Sequence, residues 1–156
     1  MRIWLKRIAI ALLLLGVIQV VRPARSNPPI DPKLEIRAVH TRSQPAMDIL
    51  ERSCNDCHSN HTVWPWYSNF APVSWLVAHD VRQGRREMNL SQWGDYDQQK
   101  RQKLLGEMCA EVSEGGMPGT AYEWMHRRAR LTNADVQAVC AFARAGLLGV
   151  ASNEYR

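Results

Sequence analysis

The residues with the clearest chemistry lie in the run Ser53-Cys-Asn-Asp-Cys-His-Ser-Asn60, where Cys54 and Cys57 stand three positions apart and His58 follows at once. Two thiols at that spacing at the end of a helix can form thioethers with the two vinyl groups on one porphyrin edge. The adjacent imidazole then points at the iron from one face. Zinc would want four nitrogen or sulfur ligands at compatible spacing, and the nearest spare cysteine is the distant Cys109. A thioredoxin-like dithiol would sit in a βαβ context, and nothing here alternates with a period of two for long. The pattern therefore points to haem c, one per chain, attached through Cys54 and Cys57 with His58 as proximal iron ligand.

A second iron ligand is sought in a rigid, non-helical place. Gly115-Gly-Met-Pro-Gly119 offers Met117 in a tight turn, where a thioether sulfur can be held over a haem face. Met/His ligation favours reduced iron and suits one-electron transfer. Met47, Met88, Met108 and Met125 are read instead as gap-filling core residues. His79, His126 and His61 remain rivals for the distal position, although a lone helical His is more often packed or solvated than metal-bound. Trp64, Trp66, Tyr67 and Trp75 can wall a porphyrin with flat faces while their N–H or O–H groups reach backbone or a propionate. Arg82, Arg85 and Arg86 could pair with propionates or support a helix dipole, and the dipole role is favoured. Cys109 and Cys140 could bridge, but two small buried hydrophobes is the favoured reading.

Short helices must position these groups. Ala46, Ile49 and Leu50 recur at helical spacing behind Ser43 as cap and Pro45 in the first turn, and this helix leads into Cys54. A second helix is expected from Pro72 to Gly84 with Val73, Leu76 and Val77 inward. A third buries Leu105, Met108, Cys109 and Val112 on one stripe and stops at Gly115-Gly116. The last has Thr132 as N-cap with Asp135 three residues on, buries Val136, Val139, Cys140 and Ala143, and stops before Gly146. Two long loops, from His58 to Ala71 and from Gly84 to Asp95, leave little continuous apolar surface. The fold class is all-α, with something other than side chains filling its middle.

The net charge of +5 arises at the N-terminus: Arg2, Lys6, Arg7, Arg22 and Arg25 are five of the 20 basic residues, and from Asn27 onward basic and acidic residues balance. The folded part therefore has no footprint for nucleic acid. Met1 to Arg7 is basic, and Ile8 to Val21 is apolar apart from Gly16 and Gln19, which marks export or membrane insertion. Ile3 to Leu5 can lengthen the span while Lys6 and Arg7 snorkel, so an uncleaved anchor over 1–25 is favoured over a cleaved signal peptide. Residues 26–44, rich in proline, read as an extended tether, 45–148 as the haem domain and 149–156 as a flexible tail.

Several motifs occur together and in order: Cys54-x-x-Cys-His-Ser-Asn, Thr62-x-Trp-Pro-Trp-Tyr-Ser68, Ala71-Pro-Val-Ser-Trp75, Asp80-Val-x-x-Gly-Arg85, Asn89-x-Ser-x-Trp93, and Gly116-Met-Pro118 with Tyr122 and His126. Over about Arg22 to Phe142 the chain resembles the bacterial haem-binding domain proteins related to monohaem cytochromes c. The resemblance implies a cytochrome c-like helical domain wrapped around covalent haem and anchored in the cell envelope. Gly119 stands where that pattern has a second proline, which loosens the turn holding Met117, and Phe142 replaces a common tryptophan, which changes packing. The expected function is one-electron exchange with a redox protein partner, the domain lying on the periplasmic side of the bacterial inner membrane. The competing reading is a haem sensor or small-ligand protein with an open distal site. The electron-exchange reading needs no catalytic acid or base pair.

Overall fold

The computed structural model describes residues 2–40 and 44–151, and every regular element among them is helical. In chain order the α-helices are α1 (Arg2–Ile18), α2 (Ile36–Val39), α3 (Gln44–Ser53), α4 (Asn55–His58), α5 (Val73–Glu87), α6 (Gln98–Glu114), α7 (Thr120–Met125) and α8 (Asn133–Ala151). There are 3₁₀ turns at Trp66–Asn69, Leu90–Asp95 and Arg127–Ala129, the first two of which shorten the stretches expected as loops.

The apolar stripes seen in the sequence build the core. Ala46, Met47, Ile49 and Leu50 of α3 meet Leu104, Leu105, Met108 and Val112 of α6 and Val139, Phe142 and Ala143 of α8 in one buried cluster with Leu90 and Trp93. Ile36 joins it, so the proline-rich segment contributes to the core as well as leading to it. Phe142 packs edge-on to His40 at 5.2 Å between ring centroids. Helix ends follow ordinary chemistry. Gly115 takes a left-handed φ of 73°, which a residue with a Cβ rarely adopts, and closes α6. At α8 the Thr132 hydroxyl accepts from Asp135 N–H while the Asp135 carboxylate accepts from Thr132 N–H, a reciprocal cap. The expected cap Ser43 lies outside the described residues.

Four expectations are corrected. First, α8 passes through Gly146 to Ala151. Gly146 is not a stop; a Cβ there would lie 2.7 Å from Leu105 Cδ1, so glycine permits close approach of α8 to α6. The expected tail thus begins inside α8, with 152–156 outside the described residues. Second, α5 buries Ser74, Ala78, Val81 and Gly84, while Val73 and Leu76 face outward. Small side chains let α5 press against α4: a Cβ on Gly84 would sit 2.6 Å from Cys57 O. Third, Cys109 and Cys140 form a disulfide linking α6 to α8 rather than two separate thiols. Fourth, Arg85 stands in the last turn of α5 as a dipole role expects, but its guanidinium is engaged by protein acceptors rather than open to a propionate, as described below.

The segment following α1 is bonded to the domain. The Gln19 side-chain amide donates to Ala71 O at 3.0 Å and accepts from Ala71 N–H at 2.9 Å, and Trp75 Nε1 donates to Val21 O at 2.7 Å. Arg25 reaches Ser68 and Asn69, and Asn27 donates to Thr62 O. The apolar side chains of α1 from Ile3 to Val17 are exposed all round. At 17 residues it falls short of a span, and no helix among the described residues is long and apolar enough to cross a membrane.

Candidate functional site

Cys54 occupies the N-cap position of α4, between the end of α3 and the single helical turn that carries Cys57 and His58. That turn is secured on two sides. Gly84 brings α5 onto the Cys57 carbonyl, and Asp56 accepts from Val63 N–H at 2.9 Å and from Tyr122 O–H at 2.7 Å. The second contact docks α7 on the residue between the two cysteines. Helix α7 starts three positions after Met117, so the Met117 turn enters a helix bonded to the thiol-bearing turn.

Both thiols are free and partly buried. Burial, with the neighbouring Cys57, pushes Cys54 up to about 12, and burial with Asp56 and Asp80 pushes Cys57 up to about 11. They are held as neutral thiols, unlike the low-pKa cysteine of a reactive redox dithiol. The His58 ring lies with Nδ1 3.2 Å from Met88 O. A carbonyl only accepts, so Nδ1 carries the proton and Nε2 keeps its lone pair for a metal. Burial holds the imidazole below its ordinary pKa, which also favours the neutral, ligating form.

The other expected site residues are distributed as follows. Trp64 donates from Nε1 to Asn27 Oδ1 at 3.2 Å, and Trp75 to Val21 O, so both indoles secure the segment after α1. Trp66 is 70 % exposed, edge-on to Tyr67 and Phe70. Tyr67 faces His126, whose Nε2 is 3.5 Å from its hydroxyl, and His126 stacks on Tyr122 at 4.2 Å. Met117 is 44 % exposed, with its N–H bonded to Glu111 O. Among its rivals, His61 pairs with Glu35, His79 is exposed beside Asp80, and His126 is engaged by the two tyrosines. Among the described residues no group of three or more His, Cys, Asp or Glu is arranged to hold a metal ion, so the zinc reading lacks its ligand set there.

Sequence reasoning missed the bonding role of the polar residues that fix this framework. Arg85 donates to Ser59 O, Ser26 O, Asn27 Oδ1 and Thr62 Oγ1, tying the strand of chain after His58 to the segment after α1. Asn60, Asn89 and Ser91 are buried and bonded to one another. Their signal was present in the His-Ser-Asn and Asn-x-Ser-x-Trp runs. A surface groove of about 860 Å³ is lined by Glu35, Asp48, Glu51, Arg37 and His61, with neither cysteine, His58 nor Met117 on its walls. Its charges are largely paired, Arg37 with Asp48 and Glu51 and His61 with Glu35.

The profile of the haem-binding domain family matches residues 13–145. The chain belongs to the haem-binding domain family. Residues 13–145 include both cysteines, His58 and Met117, so haem binding is the shared property of the region that holds this site. No curated protein and no solved structure matches the chain.

Proposed function

We propose that this haem-binding domain is a monohaem c-type electron-transfer module. Cys54 and Cys57 would hold the porphyrin through thioethers, His58 Nε2 would ligate the iron, and Met117 would supply the opposite ligand. The bound haem supplies a reversible one-electron Fe(III)/Fe(II) couple. The chain's own residues orient it: Met88 O fixes the His58 tautomer, and Gly84 seats the attachment turn against α5. The observation that carries this reading is the contact of His58 Nδ1 with Met88 O beside two free thiols on one short turn. Exposed Val73, Leu76, Phe70 and Trp66 add apolar surface of the kind a flat apolar group would cover.

We further propose that α1 anchors the chain in the bacterial inner membrane. Maturation of c-type haem outside the cytoplasm would then place the domain in the periplasm, where a redox protein is its partner. The bonds from Gln19 and Trp75 would seat the domain close to that anchor.

The test is a ferric spectrum of haem-bearing protein. A sulfur-to-iron charge-transfer band at the red end, abolished by Met117→Ala, is the expected result. Absence of that band from the native protein contradicts the Met117 ligand. The exposure of Met117 favours one second reading, a gas- or peroxide-binding domain with a labile distal site. Rapid carbon monoxide binding by the ferrous native protein would select it, because a firmly coordinated Met must first leave.

A further inference from the structure

The imidazole expected to bind iron is oriented by a backbone carbonyl, and that carbonyl belongs to a residue just past a helix end. Met88 is the C-cap of α5, in extended conformation; its N–H closes the last helical bond, to Gly84 O at 2.9 Å, but its C=O lies past the helical ladder. What holds it is the next residue. Asn89 N–H donates to Tyr96 Oη at 2.8 Å, Asn89 Oδ1 accepts from Ser91 N–H at 3.0 Å, and Asn89 Nδ2 donates to Asn60 Oδ1 at 3.0 Å and Gln92 Oε1 at 3.2 Å. Asn60, two residues after His58, donates from its own N–H to Ser91 Oγ and from Nδ2 to Pro29 O, each at 3.0 Å. The chain segment carrying His58 and the segment carrying its carbonyl partner are therefore riveted to each other by a buried amide pair, with both Nδ2 hydrogens of Asn89 used.

We propose that Asn89 and Asn60, with Ser91, are positioning residues for His58 that set its hydrogen bond to Met88 O and thereby the reduction potential of the bound haem. The inference rests on His58 being the proximal ligand. A firm N–H to carbonyl bond raises the basicity of the opposite ring nitrogen, which stabilises ferric iron and lowers the potential. Loosening the Asn60–Asn89 rivet lengthens that bond and moves the potential upward. A framework role alone would change stability and leave the potential where it was.

The experiment compares Asn89→Ala, Ser91→Ala and Leu104→Ala in the full chain bearing covalent haem. Midpoint potential and ferric electron paramagnetic resonance are read beside thermal unfolding. Asn89→Ala should shift the potential positive and broaden the ferric signal, Ser91→Ala should do the same to a smaller extent, and Leu104→Ala should lower the unfolding temperature with the potential unmoved. If Asn89→Ala fails to fold, Ser91→Ala decides the matter by itself. Potentials for both site variants equal to the native value, or an equal shift in Leu104→Ala, would overturn the proposal. A native chain without covalent haem sinks the reading of the site itself, whereas a haem-bearing native chain with unmoved variants sinks this inference alone.

Discussion

Where α6 meets α8, the interface closes on its own side chains. Leu105, Met108, Val112, Val139, Cys140 and Ala143 are buried there, and the Cys109–Cys140 bridge crosses it. Where α4 meets α5 and α7, contact comes from backbone approach at Gly84 and from polar bonds of Asp56, Arg85 and Tyr122. Apart from small residues such as Ala78 and Val81, large apolar side chains of that second region face outward: Trp66, Phe70, Val73, Leu76, Met117, Trp124 and Met125 are all exposed. The scaffold half is finished by its own residues, while the half bearing the thiols offers more apolar surface than its own packing uses. An apolar body bonded to those thiols would complete it.

The largest expected effect tests the scaffold. Replacing both Cys109 and Cys140 by Ser opens a crosslink of sequence separation 31, which should cost about 3–4 kcal/mol in the chain-entropy account. Thermal unfolding should fall while the haem spectrum stays native; a changed spectrum would mean the halves are not separable. Next comes the site half. Gly84→Ala places a methyl against Cys57 O and should cost roughly 1–3 kcal/mol and reduce the haem-loaded fraction. Gly106→Ala, also helical but with open space, should instead stabilise by roughly 0.5–1 kcal/mol. Denaturant midpoints of equal sign for the two would break this distinction.

Tyr122→Phe removes the bond from α7 to Asp56 and should cost about 1–2 kcal/mol by denaturant unfolding. Burial and Asp56 raise the tyrosine's pKa, so its contribution is present below the unfolded value and is lost as pH climbs above about 10. The smallest effect returns to the scaffold. Asp135 is held below the ordinary carboxylate range by the Thr132 backbone N–H, with Arg52 adding to it. Asp135→Asn should cost about 0.5–1 kcal/mol near neutrality. Because the folded pKa is depressed, this contribution is present above about pH 4 and disappears as pH falls through the folded value. A gap between variant and native unfolding that persists in strong acid would contradict the cap.

The same division explains what could be read from the sequence. Helices α3, α6 and α8 were legible because their apolar stripes and the Gly115 and Thr132–Asp135 caps are local signals. The attachment turn was legible because its chemistry is contained within five residues. The packing of α5 was not: Val73, Leu76 and Val77 form the more apolar stripe, yet Gly84 and Ala78 allow closer helix approach. Arg85 was legible as a helix-end charge, but not its bonds, because its acceptors come from Ser26 to Thr62, far away in sequence. The Cys109–Cys140 bond likewise depended on how α6 and α8 cross, which spacing alone does not specify.

The most direct measurement is the intact mass of native chain matured by the c-type haem machinery. The account predicts a polypeptide heavier by one haem, the increment surviving denaturation and disappearing in the Cys54→Ser, Cys57→Ser double variant. A native mass equal to the bare polypeptide would contradict it.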